Sequence, residues 1–260
     1  MKKSIVIGTR GSKLALWQAE HIASRIRERF PAIEVTLKKI VTTGDKILDV
    51  PLAKIGGKGL FTKELENAML SGDIDLAVHS LKDMPTELPE GLMLAAITTR
   101  ADASDAFVSL CYKSLDELPQ GAKVGTSSLR RRAQILKYRP DLQTVDLRGN
   151  LDTRIKKLEN KEMDAIILAT AGLKRLGLEQ YVTQILPAAI CLPAVGQGAL
   201  AIETRQDDAE VLLVLEFLND NDTIAAVTAE RAYLREVQGG CQVPVGVHGE
   251  VNGDQLLLEA

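Results

Sequence analysis

Five arginines, Arg130, Arg131, Arg132, Arg148 and Arg154, fall within one short stretch of a mildly acidic chain whose net charge is -3. A guanidinium grips carboxylate or phosphate through two parallel hydrogen bonds and never loses its charge, so such a group converging on one place calls for a polyanionic ligand. The plain alternative for Arg130-Arg131-Arg132 is a solvated helix face, because blocks of like charge usually face water. Other chemistry-bearing residues stand where short β-branched runs end: Arg10-Gly11-Ser12, Ser80 to Asp83, Thr126-Ser127-Ser128 and Arg148. Ligands of open α/β sheets sit beyond the carboxyl ends of the strands. Ser12 and Ser128 also precede helical patterns, where a hydroxyl and free backbone amides cap the helix and attract an anion.

Asp83, beside Lys82 in a segment ending at Met84-Pro85, reads either as a turn residue or as a carboxylate that faces cations. In the second case it stays ionised and stabilises a developing positive charge or moves a proton. His79 and Ser80 do not make a nucleophile and base, because neighbours on a strand point to opposite faces. Lys54-Ile55-Gly56-Gly57-Lys58-Gly59-Leu60-Phe61 is a glycine-rich basic loop without Walker spacing; it reads as a lid whose Lys54 and Lys58 touch a ligand, or as a plain flexible loop. Cys241, in Gly239-Gly240-Cys241-Gln242-Val243-Pro244, occupies an exposed and conformationally special place that suits a reactive or modified thiol. Cys111 and Cys191 lie among apolar neighbours and are expected to be buried. The three cysteines and three histidines are scattered, so neither a disulfide framework nor a metal site is expected.

These residues need elements to position them, and the alternation of short β-branched runs with longer helical patterns predicts parallel βαβ units. Ser4 to Ile7 reads as a strand and Lys13 to Phe30 as a helix, with Leu16, Ala19, Ala23, Ile26 and Phe30 on one face and Pro31 ending it. Val35 to Val41 reads as a strand, Thr62 to Leu70 as a helix closed by Gly72, and Ile74 to Val78 as a strand running into His79 to Pro85. The order then recurs. Lys123-Val124-Gly125-Thr126-Ser127-Ser128 repeats Val6 to Ser12, Thr144 to Asn150 corresponds to the strand ending at Thr43-Gly44-Asp45, and Leu158 to Leu168 mirrors Leu65 to Val78. The sequence therefore predicts an α/β protein with two similar doubly wound domains facing a cleft, an arrangement similar to that of periplasmic-binding-protein-like folds. Residues 1–99 with 194–217 form the first and 100–193 the second, with crossings at 99–106 and 194–201 whose small residues suit hinges. A helix from Thr223 to Val237 and a strand near Val245 to Val251 make 218–260 a small, partial α+β third domain.

With 260 residues, 45% of them hydrophobic, the chain can bury a sizeable core. No apolar run approaches the roughly 18 residues of a membrane span, and Met1-Lys2-Lys3 leads straight into a strand pattern rather than a signal-peptide core. A cytoplasmic, membrane-free monomer is expected. Aromatic residues are 3% of the chain, which leaves little for base stacking and argues, with the acidic balance, against nucleic acid.

The motifs Gly8-Thr9-Arg10-Gly11-Ser12-Lys13-Leu14-Ala15, Gly57-Lys58-Gly59-Leu60-Phe61, His79 to Pro85, Ser128-Leu129-Arg130-Arg131, Arg148-Gly149-Asn150 and Gly196-Gln197-Gly198 resemble those of the porphobilinogen deaminase (hydroxymethylbilane synthase) family along the whole chain. The most specific is Glu230-Arg231 followed by Gly239 to Pro244. The resemblance implies a three-domain transferase that carries a dipyrromethane cofactor on Cys241 through a thioether. Such an enzyme condenses four porphobilinogen molecules head to tail, releases ammonia each time, and frees hydroxymethylbilane by hydrolysis. Each pyrrole brings an acetate and a propionate, which gives the arginines a polyanion to hold. By the same resemblance Ser12, Lys82, Thr126, Ser128, Arg130, Arg131, Arg148 and Gly149 bind the cofactor. Arg10, Phe61, Arg148, Arg154, Arg175 and Gln197 bind substrate, Asp83 is catalytic, and Arg132 points elsewhere. Family members usually continue past Ala260, so the third domain is expected to be incomplete here.

Two rival readings use the same residues. A non-enzymatic solute-binding module would use the two-halved cleft and its anion sites with no need of Cys241. A nucleic-acid binder would use Arg130 to Arg132 and show strongly salt-dependent affinity.

Overall fold

A computed structural model describes residues 2–46, 60–237 and 243–260. The chain divides into two compact units, one of residues 1–47, 57–100 and 199–225, the other of 48–56, 101–198 and 226–260.

In the first unit β1 (Ser4–Thr9) pairs in parallel with β2 (Glu34–Lys39) and β3 (Leu76–Ser80). The returning strand β10 (Leu200–Arg205) inserts antiparallel between β3 and β4 (Leu92–Ile97), giving the order β2-β1-β3-β10-β4. Helix α1 (Lys13–Arg29) starts where the Ser12 hydroxyl accepts a hydrogen bond from the Ala15 amide, and it buries Ala19, Ile22, Ala23 and Ile26 against Ile5, Ile7, Val78 and Ile202. A short helix α2 (Thr43–Lys46) follows β2. On the other face α3 (Lys63–Leu70) packs Leu65 and Met69 over Ile74, Ala77 and Leu92. The sequence placed α1 and β1 well, and the predicted strand at 35–41 is observed at Glu34–Lys39.

The second unit repeats the plan. Its strands β5 (Asp105–Val108), β6 (Lys123–Gly125), β7 (Gln143–Val145), β8 (Ala165–Ala169) and β9 (Gln184–Leu186) take the order β7-β6-β8-β5-β9. Again three strands are parallel and the fourth, β5, runs against its neighbours. Helices α4 (Leu129–Tyr138), α5 (Leu151–Glu159) and α6 (Thr170–Arg175) flank this sheet. The repeat reaches single residues: a Cβ on Gly8 would lie 2.2 Å from Ile74, and one on Gly125 would lie 2.3 Å from Met163. Both glycines let an apolar side chain close over the strand, and a methyl group at either would overpack the core at about 1–3 kcal/mol.

Beyond α7 (Ala209–Leu215), α8 (Asn221–Glu236) leads to a hairpin of β11 (His248–Asn252) and β12 (Gln255–Glu259). The fully buried Glu230 carboxylate accepts the amides of Gly196 (2.6 Å) and Gly249 (2.7 Å), tying α8 to the loop before β10 and to the hairpin. Two buried carboxylate oxygens each taking a backbone N–H is a structural role for this motif residue. No helix among the described residues is long and apolar enough to cross a membrane.

Candidate functional site

In the first unit a small pocket opens at the carboxyl ends of β1 and β3, lined by Arg10, Ser12, Gln18, Phe61, His79, Ser80 and Asp83 among others. The Arg10 guanidinium lies 4.2 Å from the centre of the Phe61 ring, a cation–π contact that helps hold the charge in place. Phe61 in turn packs on the backbone of Gly44, where a Cβ would lie 2.2 Å from its ring. Ser12 is spent on capping α1 at 3.3 Å, a contribution of about 1 kcal/mol, while the remaining first-turn amides face the same end of the sheet. Asp83 closes a single 3₁₀ turn (Leu81–Asp83) after β3, and its exposed carboxylate has no ion pair or hydrogen bond among the described residues. Lys82 beside it is half-buried and engaged within the protein.

His79 and Ser80 behave as strand alternation requires. Ser80 Oγ accepts a hydrogen bond from Gln18 on the α1 side at 2.9 Å, whereas His79 Nε2 lies 3.0 Å from Glu203 Oε2 on the α3 side. Glu203 is fully buried, and Glu66 of α3, 6% exposed, belongs to the same cluster. Burial raises the Glu66 pKa, with the charge of Glu203 adding to the effect.

The second unit treats its arginines differently. Arg130 and Arg131 are buried on the first turn of α4 and share one carboxylate: Arg130 Nη2 lies 2.8 Å from Asp105 Oδ2 and Arg131 Nη2 2.6 Å from Asp105 Oδ1. Gln197 donates to Asp105 Oδ1 at 2.8 Å and to the Ala103 carbonyl at 2.7 Å. Arg130 also donates to the Leu192 carbonyl and Arg131 to that of Ile167. Burial alone pushes the Asp105 carboxyl upward, but Arg131 and Arg130 outweigh it and hold it well below the usual carboxylate range. The same burial pushes the Cys191 thiol up to about 12, with Asp105 adding to it, so this cysteine is inert. Cys111, expected to be buried, is exposed; it follows the end of β5 in a turn at the surface. Arg132 pairs with Asp146 at 3.0 Å on the surface, away from its two neighbours.

Other cations of this unit are not tied to Asp105. Arg148 is half-buried, and its buried Nη1 has no partner among the described residues. Gly149 sits at φ +107, where a Cβ would also strike Thr153 at 2.8 Å, and its carbonyl accepts from Arg154 Nε at 2.8 Å. Arg175 donates to the Gly198 carbonyl at 2.7 Å, and burial, uncompensated by any acid, draws its guanidinium down to about 10. A half-buried cation in that condition gains from an incoming carboxylate. Thr126 is buried and accepts from the Ser128 amide at 3.2 Å, while Ser128 caps α4. Lys54, Lys58 and Cys241 lie outside the described residues. Among those described, no cluster of histidine, cysteine and acidic side chains is placed to hold a metal.

Sequence reasoning found the strand-end residues but missed Asp105, Glu203 and Glu66. Asp105 fell inside a segment read as a hinge, and Glu203 meets His79 across 124 positions of chain, so no local spacing signalled either.

Known proteins give this geometry a context. By fold, the chain resembles the methionine-binding protein MetQ (TM-score 0.54, 16% identity, 88% of this chain and 95% of that one). A periplasmic substrate-binding protein of an ABC transporter from Coxiella burnetii is similar to the same degree (TM-score 0.52, 12% identity, 87% and 96%). Identities this low speak for the fold alone, and a solute-binding function is not favoured. By sequence, the chain is 59% identical to the porphobilinogen deaminase of Geobacter sulfurreducens over 97% of this chain and 79% of the relative. It is 59% identical to that of Geotalea uraniireducens (98% and 80%) and 56% identical to that of Desulforudis audaxviator (100% and 84%). Residues 5–213 match the family model described as porphobilinogen deaminase, dipyromethane cofactor binding domain, and 224–260 match that of the porphobilinogen deaminase C-terminal domain. With both family domains matched and more than half of its residues shared with these deaminases, the chain belongs to the porphobilinogen deaminase family of transferases.

Proposed function

We propose that Asp83 is the catalytic carboxylate of this deaminase and that the strand-end cations hold the acid arms of cofactor and substrate. One observation carries the reading: an exposed carboxylate with no partner among the described residues shares a pocket with the guanidinium of Arg10, which lies over the Phe61 ring. The family's dipyrromethane cofactor bears carboxylate arms, and the residues present suit such a group. In the second unit Arg148 keeps a buried donor with no partner among the described residues, and Arg175 is a half-buried cation with no acid beside it among them. Arg154, Thr126, Ser128 and the backbone at Gly149 complete that set, with Lys82 and Ser12 in the first unit. When bound through Cys241, the cofactor supplies the primer on which the product is built.

The protein's own work is then electrostatic. Porphobilinogen, the family's substrate, loses its aminomethyl nitrogen as ammonia and leaves a cationic carbon. An ionised Asp83 near the pyrrole nitrogen stabilises that cation, and Arg10 with Phe61 orients the ring by its acid arm and its face. Arg130, Arg131 and Gln197 are committed to Asp105, so their part in holding carboxylates is as a cluster with one net positive charge rather than as three free donors. A third domain over 218–260 and a cytoplasmic monomer working on a free small molecule belong to the same reading. The acidic net charge, which disfavours polyanionic macromolecules, supports the latter.

Asp83→Ala is expected to lower turnover by about 10²–10⁴-fold while retaining the cofactor. Intact-protein mass checks this, with Cys241→Ser as the reference that lacks the mass of two linked pyrroles. Near-normal turnover in a cofactor-loaded Asp83→Ala enzyme sinks the assignment.

A further inference from the structure

We propose that His79, held by Glu203 and backed by Glu66, is the acceptor of the proton that each condensation removes from the attacking pyrrole. This rests on Asp83 being the cation-stabilising carboxylate of the same pocket. The wall of that pocket includes His79 as well as Asp83. Behind His79 the face of the sheet under α3 is apolar, built from Leu65, Met69, Ile74, Ala77 and Leu92, yet two carboxylates are buried in it. One oxygen of each, Glu66 Oε1 and Glu203 Oε1, has no hydrogen-bond partner among the described residues. Orphaned acid oxygens in an apolar layer are costly, and a cluster that retains them beside a reactive pocket calls for a use.

The geometry supplies one. His79 Nε2 lies 3.0 Å from Glu203 Oε2; with Glu203 as the carboxylate acceptor, the imidazole proton sits on Nε2 and Nδ1 is left as the accepting nitrogen. A buried carboxylate behind an imidazole stabilises the imidazolium that forms when Nδ1 takes a proton. Burial of Glu66, with the charge of Glu203 adding to it, raises the Glu66 pKa and so favours the neutral form of that acid. The charged groups around His79 are then Glu66 from α3, Glu203 from β10, Asp83 from the turn after β3 and Arg10 from the loop after β1.

The proton balance is direct. The aminomethyl carbon–nitrogen bond of a porphobilinogen ammonium breaks, and its electron pair leaves with ammonia. The free α-carbon of the preceding substrate-derived ring forms the new carbon–carbon bond, and its C–H pair returns to the ring as the proton passes to His79 Nδ1. The proton then passes to solvent, and the site is restored. Asp83 has to remain an anion while the cation lasts, so a separate acceptor removes a conflict that one carboxylate performing both tasks would face.

The test uses the cofactor-loaded enzyme. His79→Gln should lower kcat by about 10²–10⁴-fold with little change in KM, and porphobilinogen deuterated at its free α-position should then show a normal isotope effect. Asp83→Ala blocks the earlier carbon–nitrogen cleavage and should show no such effect, which separates failure of this proposal from failure of the Asp83 assignment. Glu203→Gln keeps an acceptor for Nε2–H but withdraws the negative charge, so the acid limb of kcat should move to lower pH. Nitrogen-15 spectra of the resting holoenzyme, whose chain has three histidines, should show His79 as the neutral Nε2–H tautomer. Wild-type kcat in His79→Gln, or an Nδ1–H tautomer in the spectra, overturns the proposal. Should His79→Gln lose its cofactor, an unmoved acid limb in Glu203→Gln does so instead.

Discussion

Each unit buries one acidic residue completely on its antiparallel strand, Glu203 on β10 and Asp105 on β5, and the partners they face set their roles apart. The registers show that these are not the same position. Ile7 pairs with Leu76 and Val124 with Ala165, so His79 matches Leu168, while Glu203 lies opposite Ala77 and Asp105 opposite Ala169. One acid therefore stands on the α3 side of its sheet and the other on the α4 side. Asp105 faces two guanidiniums, which do not titrate in the working range, so its charge is locked and its network is a fixture. Glu203 faces an imidazole, which can take up and release a proton where a guanidinium cannot, and this is the chemistry the proposal assigns to its cluster. The same scaffold yields an arginine–aspartate node in one half and a histidine–glutamate node in the other.

The largest expected difference between the nodes is in stability. Asp105→Asn strands two buried guanidiniums and should cost about 3–5 kcal/mol in denaturant unfolding. Glu203→Gln leaves a neutral imidazole with a hydrogen-bond acceptor and should cost about 1 kcal/mol. Equal losses would erase the distinction. A smaller effect concerns pH. The raised pKa of Glu66 means that its contribution to stability is complete below the ordinary glutamate range and lost as pH climbs through the raised value. Thermal unfolding of Glu66→Gln should lack that decline with rising pH, whereas the contribution of Asp105, held low, should be complete above the ordinary aspartate range and be lost progressively as pH falls below it. The finest probe is alkylation of the native enzyme: exposed Cys111 should react readily and Cys191, at about 12 and enclosed by the Asp105 node, only on unfolding.

Much of this was legible in the chain because it is local. Strand, glycine, hydroxyl and helix follow one another within a dozen residues at Val6 to Ala15 and again at Val124 to Ile135, so periodicity and capping exposed both the elements and the repeat. The pocket residues Arg10, Ser12 and Asp83 were readable as strand ends for the same reason. The two acidic nodes were not, since each joins residues from strands far apart in sequence, and pairing across a sheet leaves no mark on local spacing. Arginine clustering at 130–132 looked uniform in sequence, yet helical geometry turns Arg130 and Arg131 inward and Arg132 outward.

The return of β10 to the first sheet bears on biosynthesis. As the chain emerges from the ribosome, β3 and β4 are made early but their shared neighbour arrives only with residues 200–205. Until then the nascent sheet holds a gap between two unpaired edges, each able to pair with a stray strand. All five strands of the second sheet, by contrast, lie in one continuous run from Asp105 to Leu186 and can assemble as soon as that run is released. Synthesis in sequence thus lets the second sheet close before the first, although most of the first sheet is made before it.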